Sequence, residues 1–377
     1  MLKVLSIASY QFLPPKTGGQ KGIALFNRSF AKHVSLSCAS VPENADNNTE
    51  AYEILPMLGS GTSRYINPIL FFRIRRYIQQ NNISHVLLEH PYYGWLGYLL
   101  KKFTGIQLTI HAHNIEALRF RDIGKWWWRI LWHYEKNTFR TADTCFFISE
   151  EDRQYAIQHY GVSPGRSIVV TYGINKNTAP SAEEKRSAKQ KVATLHHFSE
   201  ETLLLLFSAA FNYQPNLNAL DDIINNIVPA LEKENIPYRV IISGSQLPER
   251  YDNLKRYAKN NIIFAGFVDD INLYFTAADI FLNPISDGGG IKTKLVEALS
   301  VNTSSISYAS GAYGIPLSTT GDKLLIVPDN DSIAFSKAII QSIPLLGEKI
   351  PSSFFDHFFW DNITRKAAEK MQDARSK

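Results

Sequence analysis

Residues 287–300 read DGGGIKTKLVEALS. Three successive glycines and two lysines lead into a glutamate on a segment whose Leu295, Ala298 and Leu299 share one helical face. The preceding DIFLNPI, from Asp279, has the apolar, β-rich character of a buried strand, so the glycines form a strand-to-helix loop at the carboxyl edge of a sheet. A helix start there offers unpaired N–H groups and partial positive charge, which suit phosphate. Asp287, Gly288, Gly289 and Gly290 let a ligand approach the backbone, and Lys292 and Lys294 add full charges. Glu297, one turn in, is placed to accept hydrogen bonds from ribose hydroxyls. The glycines alone also fit a tight loop with two solvated lysines. Ile291 separates Gly290 from Lys292, which excludes the Gly-Lys-Ser/Thr ending of a P-loop. Nor is this the dinucleotide fingerprint, which wants spaced glycines after a first strand.

Outward from this loop, short β-rich runs alternate with helical patterns, which argues for parallel sheets covered by helices. The first half holds KVLSIAS, VSLSCASV, SHVLLEH, IQLTIHAH, TCFFIS and SIVVTY; the second holds LLLLFSAA, RVIISG, IIFAGF, DIFLNPI, SSISYAS and LLIVP. Between them, residues 176–201 are polar and charged and read as a linker plus a solvated helix. The expected fold is α/β, two Rossmann-like doubly wound domains facing a cleft. Residues 1–175 form the first, 202–350 the second, and 351–377, with FFDHFFW, a terminal helix that returns to the first or caps the second.

The chain has 377 residues, 45% hydrophobic and 20% charged, with a net charge of +5. That excess suits an anionic ligand or membrane surface and is too small to argue for nucleic acid. No apolar run is long enough to span a membrane. MLKVLSIASYQFLPP, at the start, has one Lys and strand-like alternation, against a signal peptide. Cys38 and Cys145 lie in apolar runs and read as buried free thiols, natural in a reducing cytosol.

Residues 261–300, NIIFAGFVDDINLYFTAADIFLNPISDGGGIKTKLVEALS, resemble the donor-binding core of retaining GT-B glycosyltransferases, in particular family 4. GFVDD, then AADIFLNP, then GGGIKTKLVEAL stand in the family's order and spacing. Less densely, PPKTGGQKG, HNIE, FISEEDR, VVTYGIN and NYQPNLNAL resemble family segments along the rest of the chain. The resemblance implies a nucleotide-sugar donor, a UDP- or GDP-sugar being expected, whose diphosphate lies at the start of the Lys294–Leu295 helix. It implies that Gly18 and Gly19 close over it from the other domain, that the backbone near Phe267 and Val268 meets the base, that Glu297 binds the ribose and that His113 lies beside the sugar. It implies no metal and no separate cofactor.

Two departures stand out. The first glutamate of the family's Glu-x7-Glu motif falls on Gly289, with Asp287 two residues away. The Arg and Lys that many members carry after the second domain's first strand are replaced by Ala209, Ala210 and the QPN of Gln214–Asn216.

His113 ends a predicted strand, and His111 is the runner-up for the same role. The reaction breaks the bond between anomeric carbon and diphosphate, so fixed dipoles and cations must stabilise the leaving group. No dedicated general base is assigned. Residues 124–140, GKWWWRILWHYEKNTFR, read mainly as a core helix with Trp128, Ile130, Leu131, Trp132 and Tyr134 inward, or else as an amphipathic segment docking on an anionic membrane. The expected protein is a cytoplasmic glycosyltransferase, with peripheral contact at the inner face of the membrane, acting on a glycan or lipid-linked acceptor in cell-surface polysaccharide assembly. The alternatives are a sugar-nucleotide epimerase of the same architecture and a catalytically silent binding protein.

Overall fold

A computed structural model describes residues 1–45, 50–234 and 236–375. The chain divides into two units, Met1–Asn175 with Phe358–Lys377, and Lys176–His357.

Unit 1 runs β1 (Lys3–Ala8), α1 (Gly18–Phe30), β2 (Ser35–Ala39), β3 (Glu53–Leu55), α2 (Ile69–Asn81), β4 (His85–Glu89), α3 (Gly94–Thr104), β5 (Gln107–Ala112), α4 (Glu116–Asp122), α5 (Trp128–Thr141), β6 (Thr144–Phe147), α6 (Glu150–Tyr155) and β7 (Ser167–Val169). Its strands pair in the order β3-β2-β1-β4-β5-β6-β7, all parallel. The order reverses between β1 and β4, and the loops leaving these two strands part there, which is where open α/β sheets bind ligands. Alternate residues of the strands, among them Leu5, Ile7, Leu88, Ile110 and Phe147, pack under α2, α3 and α5. The opposite face carries Phe26 of α1, whose ring lies 4.8 Å from that of His111.

Unit 2 runs α7 (Ala182–Leu195), β8 (Leu203–Ala210), α8 (Gln214–Asp222), α9 (Val228–Leu231), β9 (Tyr238–Ser245), β10 (Ile262–Gly266), α10 (Ile271–Ala277), β11 (Ile280–Asn283), α11 (Thr293–Ser300), β12 (Ser304–Tyr308), β13 (Leu324–Val327) and α12 (Ser332–Ser342). Its order is β10-β9-β8-β11-β12-β13, again all parallel, with the reversal between β8 and β11. The expected strands are present with small shifts at their ends. β3, three residues long, is too short to carry a periodicity in sequence.

The 176–201 segment is more than a linker. Ser181 and Glu184 close a capping box on α7. Its buried Ala188, Val192 and Ala193 face the unit, and Lys189 pairs with Asp279 at 2.6 Å. Few large apolar residues are needed because long lysines do the anchoring. At the other end, α13 (Ser352–Phe358) and α14 (Trp360–Arg375) are separated at Phe359, which bridges to Ile174. α14 lies on α1, with Ser29 Oγ 3.0 Å from Thr364 Oγ1.

Candidate functional site

In unit 2 the β8 and β11 loops meet at the reversal point. Gly288 and Gly290 hold positive φ of 86° and 74°, and glycine is the residue that adopts these without strain. A Cβ on Gly288 would lie 2.6 Å from the Tyr213 hydroxyl, so the loop after β8 closes directly over the glycine run. α11 then begins with no side-chain cap at Lys292, leaving its first N–H groups free of a capping side chain. Asp287, Gly288 and Gly289 are exposed.

The two lysines are not the free cations the sequence leads one to expect. Lys292 Nζ donates back to the carbonyls of Gly288 (2.7 Å) and Gly290 (3.1 Å), clamping the loop. Burial lowers its pKa to about 8. Lys294 donates to Glu297 Oε2 at 3.0 Å, so the carboxylate expected on the ribose is already paired. Leu295 requires a correction: its side chain is fully buried and its N–H donates to the Lys292 carbonyl, so it packs the helix and offers a ligand nothing. After β8, Asn216 Nδ2 donates to the Ala210 carbonyl at 2.7 Å, completing a neutral loop where a cationic one is common in the family. Phe267 is 74% exposed after β10, and Val268 is half-buried.

In unit 1, Gly18 and Gly19 form the first residues of α1 rather than a free loop. Thr17 and Gln20 close a capping box on them, and a Cβ on Gly19 would lie 3.7 Å from the Tyr10 hydroxyl. Beside them is a buried polar cluster at the carboxyl ends of β4 and β5. Glu89 Oε2 lies 2.7 Å from His113 Nε2 and 3.0 Å from His111 Nδ1. His111 and His113 thus point the same way, as alternation along a strand requires. His90 stacks on His113 at 4.5 Å, with Nδ1 3.3 Å from Glu116 and Nε2 3.1 Å from the Tyr10 hydroxyl.

Burial pushes the Glu89 carboxyl up, but His111 and His113 outweigh it and hold the group well below its usual range. Burial, with His111 and His90, lowers His113 to about 4 against the pull of Glu89. At neutral pH His113 is therefore uncharged, its Nε2–H donated to Glu89 and its Nδ1 left as an acceptor. Glu89, His111 and His113 also have the donor set of a cation site. Glu116 is lowered to about 2, burial again being outweighed by His90 and Arg119. Glu135 accepts the N–H groups of Glu116 and Ala117, both at 3.0 Å, which fixes the start of α4.

Next to this cluster a recess of about 470 Å³ is lined by Tyr10, Tyr65, His90, Tyr92, Arg119 and Phe120. Glu89, His90 and these tyrosines were not singled out from the sequence. The signal was there in SHVLLEH, where two ionisable residues end an otherwise apolar buried strand.

A further correction concerns α5. Its buried positions are Glu135, Thr138 and Phe139, while Ile130, expected in the core, is 66% exposed and Trp126 is 82% exposed.

Two family models match this chain: Glycosyltransferase Family 4 over residues 31–178, and Glycosyl transferases group 1 over residues 202–343. The chain belongs to the family 4-like GT-B glycosyltransferases. A Bacillus subtilis (strain 168) protein, EpsD, whose name carries a provisional glycosyltransferase designation, is 26% identical to it over 244 residues, 63% of this chain and 60% of EpsD. The chain spans 60% or less of the length of the curated relatives it matches. Among solved structures, a glycosyltransferase from Rickettsia africae ESF-5 superposes with a TM-score of 0.72 at 15% identity, covering 100% of this chain and 99% of that one. Anabaena Alr3699/HepE, solved in complex with UDP, has a TM-score of 0.70 at 12% identity, covering 99% of this chain and 100% of that one. These likenesses establish the shared GT-B fold of the glycosyltransferase.

Proposed function

We propose that this glycosyltransferase moves a sugar, with retention of anomeric configuration, from a nucleotide-sugar donor to a glycan or lipid-linked acceptor at a membrane surface, in assembly of a cell-surface polysaccharide. One observation carries the reading. The two loops at unit 2's reversal point, Tyr213 and the Gly288–Lys292 run, converge on an uncapped helix start. As the bond from anomeric carbon to diphosphate breaks, negative charge grows on the leaving group. Fixed N–H dipoles stabilise it without reorganising. Lys292, held beside them, adds charge below pH 8. Asp287 and the glycine backbone stand where the family's first glutamate would be, and a ribose hydroxyl would compete with Lys294 for Glu297. The backbone near Phe267 and Val268 would meet the base.

Support for a UDP-sugar comes from HepE, whose structures include complexes with UDP and with UDP-glucose. A GDP-sugar is the other donor proposed. His113 orients the sugar through its Nδ1, and Glu89 holds the ring in that tautomer.

The test is a thermal-shift screen against UDP, GDP, ADP and CMP, followed by nucleotide release from the matching nucleotide sugars. The expected result is a rise in Tm with one nucleotide, by mass action, and its loss in Glu297→Gln. No shift with any nucleotide would reject the reading. Binding without release, with every acceptor tried, would favour a silent binding protein instead.

A further inference from the structure

We propose that Glu89, His111 and His113 bind one divalent ion of the zinc class, and that the ion turns the free nitrogen of His113 from a hydrogen-bond acceptor into a donor. Two neighbouring strands build the site. Glu89 ends β4 and pairs in register with His111 of β5, and His113 follows just past the strand end. Alternation puts both rings on one side, beside the carboxylate. One donor atom from each residue, all within 4.8 Å of one another, makes a set of two imidazole nitrogens and one carboxylate oxygen. Zinc takes that set. Magnesium and calcium prefer shells of oxygen alone.

The lone pairs argue for a cation. His111 Nε2 lies 3.4 Å from the Val170 carbonyl, which can only accept, so the ring's proton belongs there. Nδ1 then presents a lone pair to Glu89 Oε2 at 3.0 Å. Neither Nδ1 nor the other carboxylate oxygen, Oε1, has a hydrogen-bond partner among the described residues. Glu89 is 1% exposed and His111 3%, so water is not at hand to satisfy them. A buried lone pair opposite a carboxylate needs positive charge between the two. A second proton on His111 or a metal ion supplies it. Oε1 is idle in the first case and completes the metal's shell in the second. The Val170 carbonyl is also the kind of outer partner that holds a ligating histidine in place.

Little has to move. Tetrahedral zinc spaces its ligand atoms roughly 3.3 Å apart. Here Glu89 Oε2 lies 2.7 Å from His113 Nε2 and 3.0 Å from His111 Nδ1, and turning the carboxylate opens both gaps. The recess runs alongside, through His90, which lines it and stacks on His113 at 4.5 Å. With a metal on Nε2, the neutral His113 ring carries its proton on Nδ1. That nitrogen then donates where the reading above has it accept from the sugar. The ion takes no part in the transfer step and opposes the sugar's hydrogen bond. The metal site stands on geometry alone; only this last consequence rests on the proposed function.

The experiment titrates the purified full chain, stripped with chelator, with Zn²⁺ or Co²⁺ alone. One ion per chain is expected, with visible cobalt bands, and no uptake of Mg²⁺ at the same concentration. Glu89→Gln and His111→Gln should each weaken zinc by more than about a hundredfold, beyond the loss of an outer partner. Whichever of the two keeps the wild-type far-UV spectrum decides. His159→Gln, at an exposed position, should bind as wild type does. In ¹⁵N-histidine spectra zinc should move one ring proton from Nε2 to Nδ1, a change absent in His113→Gln. Zinc should also weaken UDP-glucose by up to about tenfold relative to UDP, the scale of one hydrogen bond. His111→Gln controls for zinc held by the nucleotide itself. No cobalt bands, no zinc uptake, or uptake unchanged in the ligand variants would overturn the site. Zinc bound with His113 Nδ1 still unprotonated would overturn the switch. If neither UDP nor UDP-glucose binds, the donor reading fails while the metal result stands.

Discussion

Oε2 of Glu89 lies 2.7 Å from Nε2 of His113, with both side chains buried at the carboxyl edge of unit 1's sheet. A buried carboxylate needs partners, and here ring nitrogens supply them. The pair turns a strand-end histidine into a neutral, oriented acceptor.

Removing the charge should loosen that orientation. Glu89→Gln is expected to lower kcat by roughly tenfold to a hundredfold, the scale of one charge-assisted hydrogen bond, with a much smaller change in donor KM. A purely structural Glu89 would instead lower Tm and active fraction while leaving kcat per folded molecule intact.

Acid stability should report the same cluster. A histidine whose native pKa is depressed to about 4 adds stability that is complete above its ordinary value of 6.5 and is lost as pH falls through 4. The native Glu89, held low, acts in the same direction at still lower pH. Urea midpoints are expected to fall between pH 6.5 and 4, and His113→Gln to flatten that part of the profile. An unchanged slope in the variant would contradict this account.

The glycine loop should tolerate no side chain at 288. Gly288→Ala meets both a positive φ, a cost of about 1–2 kcal/mol, and the Tyr213 hydroxyl. Loss of nucleotide binding is expected, with partial recovery when Tyr213→Ala is added to relieve the contact. A double-mutant cycle on Kd measures the coupling, and strict additivity would show that the two loops act independently.

Lys292 predicts a pH limit for donor binding. Its native pKa of about 8 means that raising pH from 7 to 9 removes its charge. Nucleotide affinity should weaken over that interval. Lys292→Arg stays protonated throughout and should hold its affinity flat; a wild-type Kd that does not move with pH would remove Lys292 from the site's electrostatics.

The docking of α14 rests on Gly173. A Cβ there would lie 2.5 Å from the Trp360 ring, so Gly173→Ala should destabilise the chain by about 1–3 kcal/mol through overpacking. Denaturant unfolding measures it, and a neutral effect would mean that the ring has room to move.

Local signals were sufficient for much of this protein. Continuous apolar runs such as LLLLF and VLL announce buried parallel strands. A glycine run between a strand and an amphipathic helix announces an anion-ready loop, and both readings depend only on neighbours in sequence. The tertiary structure decided what each charge does. Lys292 turns back on its own loop, Lys294 takes Glu297, and Glu89 gathers His111 and His113, because burial makes every charged group find a partner that sequence spacing does not name. It also decided which face of the tryptophan-rich helix is exposed. Hydrophobicity gives the helix its stripe, but the face it buries carries Glu135, which holds the start of α4, and Ile130 lies outward. Partner and orientation are set by contacts between segments far apart in the chain, and those exist only once the sheets have formed.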